Sequence, residues 1–79
     1  MSVAIRVPDD LWDDDSEAVI VAWLYDDRAS VQKGSVVATL GLEKVQIEVA
    51  APESGVLVQL RIAESPVRRG EVIGEIRVG

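Results

Sequence analysis

Four stretches of the chain alternate apolar and polar residues with a period of two, the signature of strands that bury one face. In "VAIRV", Val3, Ile5 and Val7 share one side, while Ala4 and Arg6 share the other. "VQIEV" sets Val45, Ile47 and Val49 against Gln46 and Glu48. "VLVQLRI" sets Val56, Val58, Leu60 and Ile62 against Leu57, Gln59 and Arg61. "EVIGEIRV" runs through Val72, Ile76 and Val78, with Glu71, Glu75 and Arg77 outside. Two further segments, "AVIVAWLY" (18–25) and "SVVATL" (35–40), are apolar on both faces and read as inner strands. Val and Ile dominate every one of these segments and favour pleated sheet over helix. Turn formers separate them, among them Asp26-Asp27, Gly34, Pro52 to Gly55, Ser65-Pro66 and Gly70. The pattern predicts an all-β flattened barrel or sandwich without helix.

A repeat sharpens that expectation. Residues 18–40 lie over residues 55–76 with one residue deleted. Val19 matches Val56, Val21 matches Val58, Val31 matches Val67, Gly34 matches Gly70 and Leu40 matches Ile76. Each copy reads strand, loop, Val-x-x-Gly, strand. Neither copy can bury its apolar face alone, so the expectation is two halves packed about a pseudo-two-fold, sharing one core. Residues 1–79 then form a single domain.

Lys33 and Lys44 are the chain's two lysines. Lys33 precedes Gly34 as Arg69 precedes Gly70, so a charge there belongs to the repeated loop. Lys44 has no counterpart, because the second copy ends where the first turns into "VQIEV". The symmetry places Lys44 at a hairpin tip, at the opposite pole from the chain ends. Strand parity sets it on the exposed side with Gln46 and Glu48.

Composition removes several functional classes. The 79 residues contain no cysteine and no histidine, and carry a net charge of −6. Disulfides, the usual zinc sites, thiol nucleophiles and the commonest neutral-pH base are therefore missing, so a self-contained enzyme is not expected. Such an acidic surface repels nucleic acid, and the chain lacks an apolar run of about 20 residues for a membrane span. With no signal-peptide h-region in the opening residues, the expected compartment is cytoplasmic. The acidic run "PDDLWDDDSE" (8–17) lacks the ligand spacing and central glycine of a calcium loop and reads as solvated. Within it, Leu11 and Trp12 are expected to tuck against the core edge, with the apolar centre of a docking patch as the alternative. Trp23 is expected in the core, and Arg68-Arg69 in a solvated loop.

The course from Val21 to Leu57 runs strand, loop, Val-x-x-Gly, strand, Glu43-Lys44, alternating strand, then Ala51-Pro52-x-x-Gly55. This resembles the lipoyl domain, within the wider biotinyl/lipoyl attachment family, and the likeness extends over nearly the whole chain. The family often reads Glu-Thr-Asp-Lys-Ala at its lysine, where this chain has Gly41-Leu42-Glu43-Lys44-Val45. The resemblance implies lipoate attached covalently at Lys44, carrying acyl groups or electrons between active sites, and a domain without catalysis of its own. The departures at Leu42 and Val45 bear on which enzymes accept the domain.

The resemblance further implies recognition through Leu42, Glu43, Val45 and the acidic loop with Asp13, Asp14 and Asp15. The implied partners are a lipoate–protein ligase or lipoyl transferase, a 2-oxo acid dehydrogenase and a dihydrolipoyl dehydrogenase, with the isolated domain monomeric. Biotin is the less favoured cofactor, because that branch flanks its lysine with methionines and Met1 is the sole methionine here. An unmodified sandwich serving as a structural or protein-binding module remains the alternative of another class.

Overall fold

The computed structural model describes residues 1–8 and 16–79. These residues form eight strands: β1 (Ser2–Arg6), β2 (Ala18–Trp23), β3 (Ser30–Val31), β4 (Val36–Leu42), β5 (Val45–Ala50), β6 (Gly55–Gln59), β7 (Pro66–Val67) and β8 (Val72–Arg77). No helix occurs among the described residues. The strands make two antiparallel sheets, ordered β1-β8-β6-β3 (the first sheet) and β5-β4-β2-β7 (the second sheet). Exchanging β1 with β5, β8 with β4, β6 with β2 and β3 with β7 converts one sheet into the other. The predicted two-fold is therefore the architecture.

Symmetry extends into the core and the turns. Buried positions come in mates: Ile5 with Val49, Val7 with Ala51, Ile20 with Leu57, Val31 with Val67, Val37 with Ile73, and Leu40 with Ile76. Interleaving such side chains from both inner faces closes a sandwich core. The Arg28 N–H donates to the Leu57 carbonyl at 2.7 Å, and the Glu64 N–H donates to the Ile20 carbonyl at 2.7 Å. Gly34 and Gly70 donate to the Ala51 and Val7 carbonyls at 2.9 and 3.0 Å. Both glycines hold positive φ (88° and 74°), which explains why each Val-x-x-Gly ends in the residue without a Cβ. Even Trp23 has a functional mate. Its Nε1 donates to the Arg61 carbonyl at 2.9 Å, as Gln59 Nε2 donates to the Tyr25 carbonyl at 3.0 Å. Trp23 is half-buried against the core rather than within it.

Four readings of the pattern need correction. The alternating run after Gly55 stops at Gln59 and its faces are exchanged: Leu57 is fully buried in the core, Val56 and Val58 lie on the other side of the strand, and Leu60 and Ile62 are exposed. Past Gln59 the backbone leaves the sheet, with Leu60 and Arg61 N–H groups both turned onto the Ile73 carbonyl. Residues 18–25 do not read as apolar on two covered faces: Val19 and Val21 point to solvent beside buried Ala18 and Ile20. In β8 the buried residues are Ile73, Gly74 and Ile76, because the pairing with β1 slips by one residue at Ile73. β4 slips identically at Val37, which is why residues 35–40 look apolar on both faces.

The fourth correction concerns the deleted residue. Ile20 pairs with Leu40 and Ala22 with Thr39, so Val21 is the extra residue of a bulge in β2. The β6–β8 ladder runs without a slip and pairs Val58 with Glu75. The mate of Val58 is therefore Ala22, and Val21 has none.

Candidate functional site

β4 and β5 are joined by a two-residue turn, Glu43-Lys44, closed by the pair Leu42 and Val45. Positive φ occurs at Glu43 (55°) and not at Lys44, the sign pattern of a type II′ hairpin, whose first turn position usually holds glycine. A turn this short leaves its residues no course but outward. Lys44 is exposed and makes no hydrogen bond or ion pair with the described residues. The site offers a primary amine on a rigid ladder, with nothing to retract it.

The lysine stands at one pole. Gly55 follows Ala51 by a short turn, and a Cβ on Gly55 would lie 2.3 Å from the Arg77 carbonyl oxygen, so the two backbones touch there. Arg77 pairs with Ser2, and Met1 and Val78 exchange backbone contacts at 2.8 and 3.3 Å. The termini therefore lie near the far end of β5. Five residue steps of strand, roughly 17 Å, separate that end from the hairpin, in a molecule 36 Å along its longest axis.

Lys33 sits in a different setting. It is exposed, but its N–H donates to Ser54 Oγ at 2.9 Å within the anchored turn that ends at Gly34. That turn recurs at Arg68 to Glu71 in the other half.

Of the expected recognition residues, Leu42, Glu43 and Val45 come together around Lys44. Leu42 is half-buried against the core, whereas Val45 is 59% exposed. Val45 keeps the parity of Ile47 but lies past the edge of the core, so alternation alone overstates its burial. Leu42 and Val45 line an open groove of about 450 Å³ along the edge strand β5, together with Gln46, Ile47 and Glu48. Asp13, Asp14 and Asp15, with Leu11 and Trp12, lie outside the described residues. Glu17 pairs with Arg68 at 3.4 Å and is exposed.

Alternation in the sequence did not single out Val19, Val21 and Gly41, which lie next to the hairpin on the outer face of the second sheet. The signal was present in the one-residue length difference between the two copies.

Comparison with known proteins agrees with this geometry. A family model described as "Biotin-requiring enzyme", covering biotin and lipoyl attachment, matches residues 4–76. The dihydrolipoyllysine-residue succinyltransferase component of 2-oxoglutarate dehydrogenase complex from Bacillus subtilis (strain 168) is 38% identical over 76 residues, or 95% of this chain. The chain spans 18% of the length of that relative.

Proposed function

From the premise that this chain belongs to the biotinyl/lipoyl attachment family, we propose that it is a lipoyl carrier domain whose lipoyl group is attached at Lys44. The observation that carries the reading is the exposed, unpartnered lysine in a two-residue turn, at the point where the chain's two-fold is broken. Attachment forms an amide between Lys44 Nζ and the carboxyl carbon of an activated lipoate. The amine loses a proton and the activating group departs. When bound, a lipoyl group supplies a disulfide that opens reductively as it accepts an acyl group.

The protein's part is mechanical. Six ladder pairs from Val36↔Ala50 to Leu42↔Val45 hold the anchor, and no described side chain competes for it. Tethering to a rigid domain raises the local concentration of the carried group at each partner site. Because the relative is a component of 2-oxoglutarate dehydrogenase complex, a 2-oxo acid dehydrogenase with dihydrolipoyl dehydrogenase is the proposed class of complex. A lipoate–protein ligase or lipoyl transferase is the proposed source of the modification. The same relative favours lipoate over biotin.

The test is intact-mass analysis and peptide mapping after incubation with a lipoate–protein ligase, lipoate and ATP. A single lipoyl addition on the Lys44 peptide is expected. An unmodified chain, or modification at Lys33 alone, overturns the assignment.

A further inference from the structure

The two outer faces of the sandwich differ at positions that the two-fold makes equivalent. On the first sheet, neighbouring outward positions of β8 hold Glu75 and Arg77, paired at 3.2 Å. Their long side chains cover the adjacent strand, and Val58, the ladder partner of Glu75, is 5% exposed. On the second sheet, the mates of Glu75 and Arg77 are Thr39 and Gly41. These are too short to shield anything, and Val19 and Val21 stay 40% and 46% exposed.

Val21, the bulge residue, leans over bare backbone: its Cγ2 lies 3.1 Å from where a Cβ on Gly41 would be. The ladder row Pro66, Val19, Gly41, Gln46 crosses all four strands without a formal charge, on a chain of net charge −6. Gly41 and Gln46 are the pair next to the one that closes the Lys44 turn.

We propose that the outer face around this uncharged row is where the enzyme that attaches the group to Lys44 docks. The inference rests on the carrier reading and names the surface that reading leaves open. Before modification Lys44 has only its own side chain with which to reach an active site. The attaching enzyme must therefore close over the hairpin, and contact continues onto the face behind it. A loaded arm is longer, and later partners can be served at a greater distance from the sheet. The complementary surface is flat and apolar at its centre, with basic groups placed for Glu43 and Glu48 beside it. A second copy of the chain is disfavoured as the occupant. Two chains that each carry a net charge of −6 repel one another.

The experiment follows lipoylation by a purified lipoate–protein ligase, by intact mass against time, at subsaturating domain. Val19→Thr/Val21→Thr keeps β-branching and removes apolar contact. Thr39→Arg places on this face a long charged side chain, beside its ladder partner Glu48 and set against the basic groups of the docking enzyme. Each is expected to cut kcat/KM about tenfold, mainly through KM, while thermal unfolding stays within a few degrees of wild type. Val56→Thr, the face-exchanged control for Val19, is expected to leave the rate unchanged. In parallel, the Val19 and Val21 methyl NMR signals are expected to broaden when ligase is added without lipoate.

Wild-type rates for both variants, with those methyl signals unmoved, overturn the inference while leaving the carrier reading intact. An unmodified wild-type chain removes the carrier reading, and the inference with it. A dimer in sedimentation that Val19→Thr/Val21→Thr dissolves assigns the face to a second copy and also overturns it.

Discussion

At the junction of β4 and β5 the chain turns through Glu43 and Lys44; at the matching junction of β8 and β1 it is open, held by the contacts between Met1 and Val78. The strands leading to these two junctions have the same partners, the same slip at Val37 and Ile73, and the same buried mates. Folding therefore demands the same thing of both halves, and it can explain only what they share. What they do not share needs another cause. The lysine turn, the bulge at Val21 and the bare backbone at Gly41 all fall on one half. The charged cover of Glu75 and Arg77 falls on the other. Symmetric features are the ones that folding accounts for, and the asymmetric ones are where we place the attachment and docking surfaces proposed above.

The largest expected effect breaks the comparison at its pole. Lys44→Arg keeps the charge but removes the acylable amine, and should abolish lipoylation by intact mass. Lys33→Arg should leave it unchanged. Each exposed replacement should shift stability by less than about 0.5 kcal/mol. If Lys44→Arg is still modified, the two lysines are interchangeable and the asymmetry loses its meaning.

Next in size is a test of the shared core. Leu40 and Ile76 are mates with no exposed surface. Leu40→Ala and Ile76→Ala should each cost about 2–5 kcal/mol in urea unfolding, and resemble one another more than either resembles a surface change. A loss confined to one of them would mean that the halves are alike in trace and unequal in load.

Two of the buried mates, Val31 with Val67 and Leu40 with Ile76, were legible in the repeat, whereas alternation set Leu57 on the polar side of β6 although it is buried in the core. The hairpin position of Lys44 was legible for a related reason, as a charge that the repeat could not account for. Misreadings arose where the backbone departs from the period. Leu60 and Ile62 continue the alternation of β6 after the chain has left the sheet, and no pattern of residue types shows that departure. Val45 has core parity but sits where the core has ended. Matching Val21 to Val58 assumed that the missing residue lay in a loop. A bulge placed it inside a strand, where it turns one apolar side chain outward.

A smaller effect separates backbone strain from packing. Gly34 and Gly70 have positive φ, and a Cβ added at either would meet nothing within 4 Å. Gly34→Ala and Gly70→Ala should therefore each cost about 1–2 kcal/mol through conformation alone. Equal costs would support the two-fold down to single dihedral angles. A larger cost at Gly34 would implicate the neighbouring Lys33 N–H bond to Ser54 Oγ, which links this turn to the one before β6.

The smallest expected effect belongs to the hairpin. Among the described residues, three non-glycine residues hold positive φ: Arg28 at 75°, Glu64 at 71° and Glu43 at 55°. Arg28 and Glu64 are mates, each with its N–H donated at 2.7 Å to a strand of the sheet it is about to join, β6 and β2 respectively, so the same hydrogen bond offsets their strain in both halves. Glu43 has no mate and shares only the local turn. Replacing each by glycine relieves the left-handed strain but adds freedom to the unfolded chain, and these terms oppose. Glu43→Gly should come out stabilising by at most about 1 kcal/mol in urea unfolding. Arg28→Gly and Glu64→Gly should match each other, because the same bond constrains both. Suppose instead that Glu43→Gly destabilises the fold while its two counterparts do not. The Glu43 side chain would then be holding the turn, and its carboxylate would be a structural part of the lysine site rather than a charge displayed beside it.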